Sequence, residues 1–511
     1  MHRSTFRSRS VLVACLAGGT SLFLAASRPA LAHLERDIAS PPRTGAVPDE
    51  SRVLPNEVVV CKPEVVPPLR RVRAGAAAAV SRRIAQVLRH KCKYEHIQDA
   101  VNAAGDDTTI KVLPGVYREE PSRGFPETSR GDLPNGAYSY EFQVAHPHDQ
   151  NLIAIFARKN LTLEGVGGDA DDVVIDAGFV KDVGVRCDRC EGFIIRNLTV
   201  RDANEHGIYV LDSDGYVFDR TIGAYSLEYQ LFSFASDHGL YHDCEALGGG
   251  DSGIYVGAAP NTPGRMNTVV RNCKSHHNVL GYSGTNSNYV MLTQNDFYDN
   301  AIGISFDSER EGHANFPQNH SMIVDNDIHD NNFDIYAATS DVPPIGLFVD
   351  FFHIPVGTGI IHNISHDNLI AQNRIWGHNR FGVFLVQVDT AQGENGGGVM
   401  TVDNRMGVDA GGAPNGVDFW WDGFGDDNCW QNNGTAVTSA PQSLPSCGAP
   451  NHGTGDDENL QVLIDCLIDD PKTGQTAGDC PFGTRNHAPK LNRDQIHQLT
   501  DGGPVGEAGP Y

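Results

Sequence analysis

The chain has 511 residues and a formal net charge of −25, with 64 acidic side chains, 39 basic ones and 11 cysteines. That length allows more core than one ordinary domain needs. The negative balance argues against nucleic acid as a partner and repels anionic lipid at long range, and solubility alone explains it equally well. An anionic polysaccharide meets the same repulsion unless bridging cations or a local basic patch offset it.

Residues 1–32 read as a secretory signal peptide. Arg3, Arg7 and Arg9 precede the apolar run "VLVACLAGGTSLFLAA", and Ala30-Leu31-Ala32 forms a cleavage site, with the cut expected between Ala32 and His33. Gly18, Gly19, Thr20 and Ser21 interrupt the run, which argues against the competing reading of an uncleaved anchor. The mature chain is expected to be secreted, periplasmic or on the cell surface, with no membrane span. Without the four leader arginines its charge falls to about −29. Cys15 leaves with the leader. The ten remaining cysteines suggest up to five disulfides in an exported chain. Sequence proximity pairs Cys61 with Cys92, Cys187 with Cys190, Cys244 with Cys273, Cys429 with Cys447 and Cys466 with Cys480, although spacing alone does not fix connectivity.

Residues 33–91 form an N-terminal segment ending in a helical cap, where Val80, Ile84, Val87 and Leu88 fall at helical spacing. A second short helix fits "HIQDAVNAAG", with Ile97, Ala100, Val101 and Ala104 on one face. "TTIKVLPGVYRE" then alternates as a strand should, and Pro114-Gly115 marks a turn.

From about residue 160 to 433 one wording recurs: "IRNLTVRDANEHGIYV", "VRNCKSHHNVLGYSG", "TQNDFYDNAIGISF", "VDNDIHDNNFDIYA", "AQNRIWGHNRFGVFL". Aligned on Asn197, the repeats place Arg220, Asp243, Asn272, Asn295, Asn326, Asn373, Asn404 and Asn428 at the same point, with a base period of about 23 residues. Each repeat holds short alternating segments that cannot form a sheet alone. Stacked copies would pair every strand with its equivalents above and below. Ile208 and Val210, Ile254 and Val256, Ile304 and Phe306, Ile335 and Ala337, Val383 and Leu385 would then fill one core. A stacked asparagine both donates and accepts hydrogen bonds, so it can satisfy buried turn backbone from rung to rung. Asparagine also tolerates the left-handed conformation of a sharp bend, and the glycines before the "GIYV"-type strands are read the same way. The largest gap, between Asn326 and Asn373, reads as an excursion or as an extra degenerate rung. Residues 448–511 carry one apolar run, "LQVLIDCLI", and read as a C-terminal cap and tail.

"YEHIQDAVNAAGDDTTIKVLPGVYRE", the asparagine-punctuated rungs and "DFWWDGFGDDNCWQNN" resemble secreted right-handed parallel β-helix repeat proteins of the pectin lyase-like superfamily, over roughly 92–447. The resemblance implies an all-β right-handed parallel β-helix with an N-terminal helical cap and a C-terminal cap. It does not specify an activity. The superfamily includes pectate and pectin lyases, polygalacturonases, alginate epimerases and phage tailspikes. The paired-aspartate pattern of polygalacturonases and the basic segment of pectate lyases are missing. His146-Pro147-His148-Asp149 matches three of four positions of the D-P-H-D/E motif of alginate C5-epimerases, but it lies before the regular rungs.

In that superfamily ligands lie along the outer face of one parallel sheet, and the "GIYV"-type strands are the candidate. Tyr209, Tyr255 and Tyr336 should point outward there and stack on sugar rings, with Arg310 binding a uronate. Outward tyrosines also stack on one another for stability alone. Asp237, His238 and Asp307 are the acid–base candidates, weighed against ordinary turn chemistry at Asp–Gly-rich bends. His353, His362, His366 and His378 do not have the spacing of a metal site, so no protein metal centre is assigned. Calcium is the cofactor the resemblance allows. Two readings follow. One is a secreted protein that recognises, and cleaves or epimerises, an extracellular uronate-containing polysaccharide, acting as a lyase or C5-epimerase. The other is a non-enzymatic structural or adhesive β-helix. The sequence does not fix the oligomeric state.

Overall fold

In a computed structural model of the chain, the described residues are 38, 43–62, 76–124, 139–309, 313–335, 354–389 and 394–467. The expected leader with its Ala32–His33 cleavage point, Arg310, Tyr336 and the Cys466–Cys480 bridge lie outside them. Among the described residues no helix is long and apolar enough to cross a membrane.

The short strands stack into three long sheets of 13, 10 and 11 strands. The first sheet ends at Cys429–Gln431, the second runs from Gly115–Tyr117 to Arg405–Met406, and the third from Asn151–Phe156 to Ser439–Ala440. All pairing within them is parallel. One turn visits each sheet once: Asp214–Asp219, Ile222–Ala224 and Leu231–Phe234 precede Asp237–His242, which lies in register on the first of these. The chain is therefore a parallel β-helix. Ile208, Val210, Ile254, Val256, Ile304, Phe306, Val383 and Leu385 all fall in its continuous core, as alternation requires.

Ile335 is buried in a side cluster instead, and the rung's third-sheet strand is Thr358–Asn363, with Ile360 inward. This strand pairs directly with Ile302–Asp307, and Met322–Val324 pairs directly with Leu369–Ala371. The long gap is thus one turn with an excursion and holds no additional rung.

The asparagine register also shifts. A side-chain ladder runs Asn295, Asn326, Asn373, Asn404, Asn433, each Nδ2 donating to the next Oδ1 at 2.9–3.0 Å. Below it, the N–H of Cys273 donates to Asn295 Oδ1. Asn197, Arg220, Asp243 and Asn272 lie one residue earlier, at the left-handed bend, with φ of 52°, 48°, 54° and 54°. Asn428 belongs to another corner, where it accepts from Val399 N. A second ladder joins Asn278, Asn300 and Asn331. The glycine column answers to a different constraint from the bends. A Cβ on Gly281, Gly303 or Gly359 would sit 2.5 Å from a carbonyl oxygen of the next turn.

Helix Ile97–Ala103 plugs the N-terminal end with Ile97, Ala100 and Val101. The buried Glu119 carboxylate accepts from the N–H groups of Ile97 and Gln98, satisfying two donors of its first turn. In helix Ala76–Arg89, Leu88 packs on Val59, Leu113 and Val166, but Ile84 and Val87 are exposed, so the expected apolar face is only partly used. Residues 43–52 cross the outer face of the first sheet as a strap. Pro48 is buried there. Glu50 Oε2 lies 2.9 Å from His242 Nδ1, Glu50 Oε1 accepts from Arg271 at 3.1 Å, and Arg52 Nη2 donates to Gly192 O at 2.6 Å.

Three expected disulfides are present: Cys61–Cys92, Cys187–Cys190 and Cys429–Cys447. Cys244 and Cys273 are not bridged. They are buried thiols stacked on adjacent turns, with the N–H of Cys244 donating to Cys273 Sγ at 3.3 Å.

Candidate functional site

In-register stacking turns the outward residues of the third sheet into columns. One column runs Tyr209, Phe232, Tyr255, Ser283, Ser305, Ile361, Phe384, Trp420. The other, two residues further along each strand, passes through Thr285, Asp307, Asn363 and Val386.

Both ends of this face are covered. Tyr209 and Tyr255 leave the sheet on its outer side, as alternation requires, yet each is only 1% exposed. Tyr209 stacks on Phe232 with centroids 4.2 Å apart, under the Arg186 guanidinium, and Tyr255 packs edge-on to the same Phe232. Their faces are used on one another, so they are not open sugar platforms. At the other end Leu460 and Leu463 of helix Asp457–Leu467 cover Phe384 and Trp420.

The middle stays partly open, because Ser305 and Asp307 are half-buried. Burial pushes the Asp307 carboxyl up to about 7, the Thr285 hydroxyl that donates to it at 3.1 Å opposes the shift, and the nearby Glu309 charge reinforces it. On the next turn Asn363 is 7% exposed, and its Oδ1 is buried without a hydrogen-bond partner among the described residues. Beside it, Asn286 Oδ1 accepts from the Glu309 N–H at 3.0 Å, so its Nδ2 must be the atom 2.7 Å from His313 Nδ1. His313 Nε2 lies 2.9 Å from Glu309 Oε2.

A second unusual carboxyl lies on the same side. Burial, together with the charge of Glu228, lifts Asp251 to about 7 against a 2.5 Å hydrogen bond from Ser252 Oγ, and Asp307 adds to the shift. Ligand-type atoms of Glu205, His206 and Glu228 lie within 4.8 Å of one another nearby, where His206 stacks on Tyr229.

Asp237 and His238 do not join this group. The Asp237 carboxylate is fully buried and accepts from Arg265 Nη1 and Nη2 at 2.8 and 2.7 Å, from Asn267 Nδ2 and from the N–H groups of Arg43 and His238. Burial opposes its charge, but the Arg265 fork and the other donors outweigh it and hold the carboxyl below its usual value. Its lone pairs are used in holding a loop and the strap, which leaves no base for a ligand. His238 Nδ1 sits 2.7 Å from Asp214 Oδ1 in the same network. His362 stacks in the core on Phe306, while His378 accepts from Asn331 N in the second ladder. Burial lowers both rings to about 3. His148 lies in the short helix Pro147–Gln150 before the third sheet begins.

The sequence model for the family described as "right handed beta helix region" matches residues 183–340, within the stretch that builds the three parallel sheets. No curated protein matches the sequence. Among solved structures, the A-module of mannuronan C-5 epimerase AlgE4 of Azotobacter vinelandii is 14% identical, over 70% of this chain and 94% of its own, with a TM-score of 0.39. Pectate lyase Pel9A is 11% identical over 87% and 90%, with a TM-score of 0.39. DFA-IIIase of Arthrobacter chlorophenolicus A6 is 10% identical over 76% and 98%, with a TM-score of 0.41.

Proposed function

We propose that this protein acts outside the cytoplasm on a uronate-containing polysaccharide, bound along the outer face of the third sheet, with Asp307 as the group that exchanges the proton. The carrying observation is one carboxyl, half-buried at the open centre of that face and lifted to about 7. A carboxyl in that range takes and returns a proton at neutral pH far more readily than an ordinary aspartate. Abstraction from C5 of a uronate unit, followed either by breakage of C4–O4 with the leaving oxygen taking a proton from water or by delivery of a solvent proton to the opposite face of C5, is the chemistry such a base supports.

Electrostatics limits the substrate. Asp251, Asp307 and Glu309 lie on this side, so a bare uronate would be repelled. The oxygens of Glu309 and Asn363 are the hard-donor type that calcium takes, and calcium held there, clear of Asp307, would neutralise the substrate carboxylate. Activity is therefore expected to need a divalent cation. The test is a panel of pectate, alginate and hyaluronan with and without calcium, following unsaturated-uronate absorbance, epimer ratio and binding. Binding without product on every glycan removes the catalytic role, and no binding at all removes the polysaccharide.

A second reading, a non-enzymatic structural or adhesive β-helix, is favoured by the burial of Tyr209 and Tyr255 and by the fully bonded Asp237. It expects glycan or surface binding with no change in the glycan.

A further inference from the structure

The outer face of the first sheet carries an apolar column, Val269, Met291, Met322, Leu369 and Met400, each in register with the next. The column begins earlier, at Ile194, Val217 and Leu240, and there the strap lies over it. A Cβ at Gly215 would meet Ala46 O at 2.6 Å and Pro48 Cδ at 3.5 Å. Where the strap lies, the column is buried. Beyond it, Val269, Met291, Met322 and Leu369 are half-buried and Met400 is 44% exposed. Past Arg271, which Glu50 of the strap engages at 3.1 Å, the neighbouring outward column runs Thr293, Val324, Ala371 and Val402. No residue of these two stretches is charged, in a chain of net charge −25.

We propose that this uncharged face is where a second copy of the chain docks, sheet against sheet, about a two-fold axis. Three observations converge on that partner. The surface continues a stripe that already buries an extended segment of its own chain. Three of the chain's six methionines lie in the exposed column, and methionine is the side chain that adapts to an imperfectly matched apolar partner. Two copies of so acidic a protein repel each other over most orientations, and a neutral strip several turns long is where that repulsion is least. A polysaccharide is a poor occupant, because the nine side chains offer one hydroxyl, that of Thr293. Two such faces pack at about 10 Å, the ordinary sheet-to-sheet spacing, and an isologous contact closes on itself without forming a filament.

The rims add a signature. Asp325 and Asp403 stand exposed along one border and Asp367 and Asp427 along the other, so bringing two faces together brings carboxylates together. Salt screens that repulsion and strengthens the dimer, the reverse of an interface held by ion pairs. The test is sedimentation equilibrium of the full chain over a range of concentration and salt. A reversible dimer that tightens as salt rises is expected. Met322→Asp with Leu369→Asp should weaken it by about tenfold or more while leaving the circular dichroism unchanged. Met400→Glu, at a position too exposed to disturb the fold, should weaken it as well. A monomer under all conditions overturns the proposal, as does a dimer that none of these substitutions weakens.

Discussion

Asp307 and Asn363 face each other from adjacent turns of the third sheet, in register on its outer side. One holds its proton up to about pH 7, and the other buries a carbonyl oxygen with no hydrogen-bond partner among the described residues. A buried acceptor without a partner costs about 1–3 kcal/mol.

Replacing Asp307 by Asn retains size and polarity and removes the titration. On a responsive polysaccharide, Asp307→Asn should lower kcat by about a hundredfold or more and abolish the inflection near neutrality in its pH profile. Stability should change in the opposite sense. The folded carboxyl titrates near 7 against an ordinary 3.8, so its contribution is fully present below 3.8 and is lost as pH rises through about 7. Asp307→Asn should therefore melt higher than the parent above pH 7. Thermal denaturation across pH reads this directly, and a variant with parental kcat and pH profile removes Asp307 from the chemistry.

The repeat made the fold legible, because alternation and a period near 23 residues leave few other ways to bury Ile208, Ile254, Ile304 and Val383 together. The exact corner position was not legible. Left-handed bends and ladder sites both favour asparagine and lie side by side, so Asn272 and Asn295 looked equivalent when they are not. The candidate site was only partly visible. Asp307 was legible as an outward acid, but Asn363 follows it by 56 residues, across the excursion that breaks the period. Nor could Tyr209 and Tyr255 be known to be covered, because alternation reports which side of a sheet a residue leaves from and not what lies over it.

The two kinds of corner asparagine should respond differently. Asn326 Oδ1 accepts from the N–H and Nδ2 of Asn295, while its own Nδ2 donates to Asn373 and to Leu292 O. Asn326→Ala leaves several of these buried groups unpaired and should cost about 3 kcal/mol or more. Asn197 needs a residue that accepts φ of 52°, and its Nδ2 also donates to Gly165 O at 2.7 Å. Asn197→Gly should cost about 1 kcal/mol, through the lost side-chain hydrogen bond, whereas Asn197→Val should cost about 2–3 kcal/mol. Chemical denaturation of the three variants separates the roles, and equal costs at Asn326→Ala and Asn197→Gly would contradict the assignment.

Cys244 and Cys273 occupy the ladder positions just below Asn295. With asparagine at both, Nδ2 of residue 273 would reach Asn295 Oδ1, and its Oδ1 would take the N–H of residue 244 in place of sulfur. The double substitution Cys244→Asn and Cys273→Asn should be at least as stable as the double alanine variant, by about 1 kcal/mol or more. The same pair stands about one rung, 4.8 Å, apart, within the span a disulfide bridges. Thiol alkylation followed by peptide mapping should find both cysteines labelled only after unfolding. Labelling in the native state would show that the corner opens.

His329 lies on the outer side of the second sheet between Tyr298 and Trp376, with ring centroids 5.5 and 4.4 Å away and nearly parallel planes. Burial disfavours its charge, but Asp296 at 3.0 Å and Asp330 at 2.9 Å more than compensate and lift the ring to about 9. It is thus an imidazolium held between two aromatic faces, which attract a cation through their quadrupoles. Because the folded value lies above the ordinary 6.5, its stabilisation is fully present below 6.5 and is lost as pH rises through about 9. His329→Gln keeps a donor but cannot carry the charge. It should lower the melting temperature below pH 6.5 and converge on the parent above pH 9. A constant difference between the two proteins across that window would mean that the stack, and not the charge, provides the stabilisation.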